Sequence, residues 1–279
     1  MPHEHSNKII ILHATAPTCW WSWGYEGVIN RLRLVYGDQI DIRLLTLCVY
    51  DDFDDWMKKY DIKSFKEFLD WAKEAFELMK IPFEINPKRG QIPKSAMPAS
   101  IAVMAAMLQG HKRAERLSRE ILRRCNVEMQ DISQDKVLFE AAKSAGLDLI
   151  KFKKDFADKE ARYHGYEHQQ SNFPHHLPLN FYNMVVADGD KRVVMLDHAF
   201  DPKVVEEAID YLAGGKLKKS KPSDILGYLK NHGETPLMEI SRVFDLKPEE
   251  AKRKLSALEK SGKAGKVSLA GADFWKPKK

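Results

Sequence analysis

The chain has 279 residues, 44% hydrophobic and 30% charged, with a formal net charge of +5. That is long enough for a full core and one large or two smaller domains. It has no low-complexity tract, and no stretch approaches the roughly 18–20 apolar residues of a membrane span. The apolar run in MPHEHSNKIIILHA is too short for a signal sequence and reads as a first strand, which leaves a cytoplasmic location as the default expectation. The charge is uneven. From Lys216 to Lys279 there are 14 Lys and 2 Arg against 3 Asp and 5 Glu, a net +8, and the rest of the chain carries −3. A basic end on a slightly acidic body suggests two domains and an anionic partner for the basic one.

In chain order, Lys8–His13 (KIIILH) is a short β-branched run expected to form a buried strand. The segment ATAPTCWWSWGYEGVINRLRLVY turns into a helical pattern, with Trp23, Val28, Ile29, Leu32 and Leu34 near helical spacing. Asp38–Leu47 (DQIDIRLLTL) suits a second core strand, giving a βαβ opening. From Phe65 to about Asp158 the apolar spacing is helical throughout, with Gly110 and Gly146 at expected helix ends. Leu179–Ala187 and Lys191–Leu196 flank an Asp-Gly-Asp turn and read as a hairpin. Asp201–Ala213 opens with a capping Asp and a Pro at the first helical position, and Gly214, Gly215 and KLKKSKP form a linker. The tail reads as three short helices (SDILGYLKNHG, PLMEISRVFD, KPEEAKRKLSALEKSG) and a small hairpin. Three helices and a basic wing make a winged-helix arrangement.

Three cysteines, at 19, 48 and 125, have no regular spacing, which excludes a dense disulfide framework and a CxxC-type zinc site. Cys19 falls at the junction of the first strand and helix, where free N–H groups and the helix dipole favour a thiolate. Its pKa is therefore expected to fall below the ordinary value of about 8.5. Pro17 stiffens the approach, and Trp20, Trp21 and Trp23 supply an apolar surround, with at least one of them expected in the core. The alternative is an inert buried cysteine.

The stretch APTCWWSWG resembles the active-site turn of the DsbA-like thioredoxin-fold family, whose usual form is D-P-x-C-x-W-C-[WY]-G. RRCNVEMQDISQDKVLFEAAKSAGLDLIKFKKDF is similar to the inserted helical subdomain of that family's FrnE-like branch. HLPLNFYNMVVADGDKRVVM resembles the segment that carries the family's cis-proline. The resemblance covers about residues 8–213. It implies an α/β thioredoxin fold over 1–215 with an all-helical insertion at about 60–160; the winged helix read from the tail's own pattern then spans 216–279. It assigns Cys19 as the nucleophile, Pro178 as the cis-proline and Leu177 as the residue facing the nucleophile. Trp20 and Trp21 become a substrate-facing lip.

Ser22 stands where the family has its second cysteine. A serine hydroxyl can hydrogen-bond a thiolate but forms no disulfide. The expected chemistry is therefore monothiol: mixed disulfides with protein or small-molecule thiols and disulfides, resolved by a second thiol, or isomerisation. A glutathione-dependent isomerase or transferase of the kappa type remains open, and no cofactor is expected beyond glutathione or another small thiol. Cys48, at the end of the second strand, is a better candidate resolving thiol than Cys125, though both suit the core. His164, His168, His175 and His176 cluster ahead of Pro178 but lack matching acidic or cysteine ligands, so no metal is expected. The acidic run Asp51, Asp52, Asp54 and Asp55 suits a solvated loop or a helix start. In the tail, Lys252, Arg253, Lys254, Lys263 and Lys266 would meet DNA, which makes a redox-responsive nucleic-acid-binding protein the rival reading.

Overall fold

The computed structural model describes residues 8–171, 183–189 and 192–278. Strand β1 (Ile9–Thr15) leads through a tight turn into helix α1 (Trp20–Tyr36), which crosses back to strand β2 (Ile40–Thr46). The two strands pair in parallel, Ile9 opposite Ile40 and Thr15 opposite Thr46. The β-branched run of β1 buries Ile9 and Ile11 against Val28, Leu32 and Val35 of α1, a contact that only a crossover helix on one sheet face can make.

Helices α2 (Phe53–Lys59), α3 (Phe65–Met79), α4 (Met97–Met107) and α5 (His111–Asn126) follow. Helices α6 (Asp135–Ser144), α7 (Leu149–Ala157) and α8 (Lys159–Ser171) complete the insertion. The acidic run is a helix start: the Asp52 carboxylate accepts from the amides of Asp54 and Asp55 and caps α2. The helical pattern is broken between Met79 and Met97. Lys80 takes a left-handed φ of 54° and ends α3, and Pro82, Pro87 and Pro93 cannot donate to a helix ladder. Insertion helices α4–α7 enclose a core of their own, around Leu117, Ile121, Leu138, Phe152 and Phe156.

Strands β3 (Asn183–Asp188) and β4 (Arg192–Asp197) complete a sheet of order β2-β1-β3-β4, with β3 antiparallel to both of its neighbours. Helix α9 (Pro202–Ala213) is capped by Asp201 as expected. A central sheet, an α1 crossover and a helical insertion between β2 and β3 constitute a thioredoxin fold with helical insertions.

The tail contains α10 (Ile225–His232), β5 (Thr235–Pro236), α11 (Leu237–Phe244), α12 (Pro248–Lys260), β6 (Ala264–Leu269) and β7 (Ala272–Pro277). Its antiparallel sheet runs β5-β7-β6. It has a core around Leu229, Ile240, Leu255 and Trp275, while Phe274 is buried in the main core.

The tail is also seated firmly on α1. Gly27 lets α11 come close: a Cβ there would sit 3.3 Å from Glu239 Cγ. Around it, the Arg119 guanidinium bridges Glu26 of α1 and Glu239 of α11, at 3.0 Å to each. Tyr228 donates to Glu239 at 2.5 Å and accepts from the Asn30 amide at 3.0 Å. Arg31 pairs with Glu206 and also donates to the Val243 carbonyl. Charges so buried persist only because each has a charged or hydrogen-bonded partner.

Candidate functional site

The turn Ala16-Pro17-Thr18 between β1 and α1 holds Cys19 at the N-cap of the helix. The Cys19 amide donates to the Ala16 carbonyl at 3.0 Å, and the Cys19 carbonyl accepts from Trp23 at 3.2 Å. Ser22, fully buried one turn into the helix, accepts from the Ala16 amide at 3.0 Å. Its hydroxyl and backbone N–H also hydrogen-bond the Cys19 sulfur, as does the Trp21 N–H.

These donors lower the thiol pKa, as the sequence leads one to expect, but burial outweighs them. Cys19 is 9% exposed, and desolvation pushes its thiol up to about 11. The expected thiolate is thus corrected to a neutral thiol at rest: three hydrogen bonds cannot repay the hydration that a sulfur anion loses in this apolar setting.

Cys19 opens on a cavity of about 170 Å³ between the sheet edge and the insertion. Trp20, Tyr50, Phe53, Trp56 and Phe68 line it, and Trp20 packs between Phe68 and Phe83, with ring centroids 5.2 and 5.8 Å away. Trp21 also lines it while stacking on Phe200 at 5.6 Å. Trp23 is core, donating its indole N–H to the Pro82 carbonyl at 3.1 Å. Two polar atoms of cavity-lining residues, Thr18 Oγ1 and Trp20 Nε1, are buried without a hydrogen-bond partner among the described residues.

The other cysteines change places relative to expectation. Cys48 donates its thiol to the Tyr50 carbonyl at 3.1 Å and is not part of the cavity wall. Cys125, on the last turn of α5, lines the same cavity as Cys19. Burial pushes both thiols up to about 12, with the carboxylates of Asp51 near Cys48 and Asp131 near Cys125 acting in the same direction. No local pattern marks Cys125 in the sequence; only the packing of α5 over the α1 turn brings it there.

Pro178 and Leu177 lie outside the described residues, as do His175, His176 and the side chain of His168. His164 is exposed on α8, 3.3 Å from Glu167. In the tail, Lys252, Arg253, Lys254, Lys263 and Lys266 are all exposed. Lys254 pairs with Glu250 at 3.7 Å and Lys266 with Asp273 at 3.1 Å. Sequence reasoning missed the Arg119–Glu26–Glu239 network and the fully buried His13.

The sheet order, the crossover helix, the cysteine at its N-cap and the helical insertion define a thioredoxin-fold protein. A family model described as Thioredoxin matches residues 14–170, more than half of the chain, and the chain belongs to that family. Similar solved structures include a probable DsbA oxidoreductase from Streptomyces coelicolor (TM-score 0.57, 14% identity, 78% of this chain and 94% of that one). Another is the cytosolic disulfide reductase DsbM from Pseudomonas aeruginosa (TM-score 0.51, 18% identity, 74% and 97%). Along the sequence, the chain is 25% identical to the ClpXP adapter protein SpxH of Bacillus subtilis, over 98% of this chain and 91% of that protein. It is 24% identical to the SpxH of Halalkalibacterium halodurans, over 93% and 86%. Among the described residues, no helix is long and apolar enough to cross a membrane.

Proposed function

We propose that this chain is a cytoplasmic adapter of the thioredoxin fold that holds a partner protein for an ATP-driven protease of the ClpXP kind. One observation carries the reading. Where a dithiol oxidoreductase needs its second cysteine, Ser22 is fully buried and committed to the Ala16 amide, and Cys19 rests as a neutral thiol. Such a turn suits a fixed surface better than rapid cycling between dithiol and disulfide. The SpxH adapters support it, because the similarity runs along 93–98% of this chain, tail included. The decisive measurement is protein half-life in cells with and without this chain, in backgrounds with and without ClpXP. At least one protein should be degraded quickly only when both are present. If every half-life is indifferent to this chain, the adapter reading is overturned.

A second reading rests on the cavity. Cys19 faces an aromatic-lined space, and two residues of its wall, Thr18 and Trp20, each have a buried polar atom without a hydrogen-bond partner among the described residues. A cysteine opening on an aromatic-lined cavity suits slow monothiol exchange with a protein or small-molecule disulfide, with glutathione or another small thiol as co-substrate, including a glutathione-dependent isomerase or transferase of the kappa type. Trp20 and Trp21 would contact the substrate. The test is covalent trapping at Cys19. Mixed disulfides recovered from cells on the wild-type chain and lost in Cys19→Ser support it, and equal recovery from both chains overturns it.

A further inference from the structure

We propose that Cys125 is the resolving thiol for Cys19, replacing in space the second cysteine that Ser22 displaces from the active-site turn. The inference rests on the monothiol reading and extends it. Cys19 reaches the cavity from the N-cap of α1 and Cys125 from the last turn of α5, 106 positions later in the chain. The two line one cavity of about 170 Å³, and both side chains are buried at its wall.

The end of α5 is not a loose loop. The Asn126 carbonyl accepts from the Glu84 amide at 2.8 Å, the Gln130 amide donates to Arg124 at 2.9 Å, and Arg123 is held by Glu120 and Glu128. Cys125 is therefore presented from a fixed position. Cys48, occupied with the Tyr50 carbonyl, does not face the cavity.

The chemistry balances in two exchanges. The Cys19 sulfur attacks a disulfide, forms a mixed disulfide with one half and releases the other half as a thiol, which takes up the Cys19 proton. The Cys125 sulfur then attacks the Cys19 sulfur of the mixed disulfide. A Cys19–Cys125 bond forms, the bond to the substrate breaks, and the departing thiolate takes up the Cys125 proton. One substrate disulfide is reduced and the protein dithiol is oxidised, and two equivalents of a small thiol such as glutathione restore it. Both thiols are held protonated at rest, so the exchange is slow at neutral pH and accelerates in alkali.

The experiment uses the full chain with Cys48→Ser as background and the coloured aryl disulfide dithiobis-nitrobenzoate as the probe, in mildly alkaline buffer. With Cys125 present, two aryl thiolates should be released per chain and peptide mapping should find Cys19 joined to Cys125. With Cys125→Ser, and independently with Cys125→Ala in case one variant is poorly folded, a single thiolate should be released and the aryl group should stay on Cys19. An aryl adduct that persists on Cys19 while Cys125 is present overturns the inference alone. So do two thiolates that leave separate adducts on the two cysteines. No labelling of Cys19 in any variant overturns the monothiol reading and this inference together.

Discussion

At Cys19 the decisive contest is between three hydrogen bonds and desolvation, and desolvation wins. Alkylation of Cys19 by a small reagent should therefore be slow at neutral pH and rise about tenfold per pH unit toward the thiol pKa near 11. A plateau below pH 9 in the rate profile of a Cys48→Ser, Cys125→Ser chain would contradict this. Ser22→Ala removes the acceptor of the Ala16 amide and leaves that N–H buried without a partner. The expected cost is about 1–3 kcal/mol, read from urea unfolding. Two buried histidines contribute to the acid behaviour. Burial lowers His13 to about 3 and His232 to about 4, each also with a nearby arginine acting in the same direction. Below their ordinary value near 6.5 the unfolded chain takes up protons that the native protein refuses. Stability is therefore constant with respect to these groups above that pH and is lost as pH falls through the window down to about 4, and for His13 to about 3. The expected slope is about 1.4 kcal/mol per pH unit for each histidine. His232→Gln should lower the slope measured by urea unfolding by about 1.4 kcal/mol per pH unit between about pH 6 and 4.5.

Helix α1 serves two surfaces at once: its N-terminus carries the cysteine turn, and its side receives α11 of the tail. The close approach depends on Gly27, and the Arg119–Glu26–Glu239 cluster ties α5, α1 and α11 together. Arg119→Ala should leave two buried carboxylates without their cation and cost about 3–5 kcal/mol in unfolding free energy. Removing the charges together, as in Arg119→Met with Glu26→Gln and Glu239→Gln, should cost much less than the three single changes summed. Helices and strands of this size were legible in the sequence because periodicity and caps are local. The α1, α9 and α12 patterns and the two hairpins fall where the spacing puts them. The break between α3 and α4 is legible too: the apolar helical spacing stops at Lys80 and resumes near Pro98, with Pro82, Pro87 and Pro93 between.

For the whole molecule, the question is whether the tail is an appendage or part of one cooperative unit. Phe274 lies in the main core, and Arg31, Asn30 and Arg119 all complete their hydrogen bonds with tail atoms. Thermal or urea unfolding of the intact chain should therefore show one transition, with Trp275 in the tail and Trp23 in the body reporting the same midpoint. Two separated midpoints would show that the interface contributes little. A chain ending at residue 215 should lose solubility, because it exposes the α1 face that α11 covers.

The sequence by itself determined the elements, the βαβ opening, the cysteine at a helix start and the missing second cysteine, because each is written in residues close together in the chain. Tertiary structure decided the rest. It placed Cys125 in the wall of the cavity that Cys19 opens on, turned an expected thiolate into a buried thiol, and fastened a basic tail to α1 through pairs of charges far apart in sequence. Burial and cross-chain distance set these outcomes, and neither can be read from spacing along the chain.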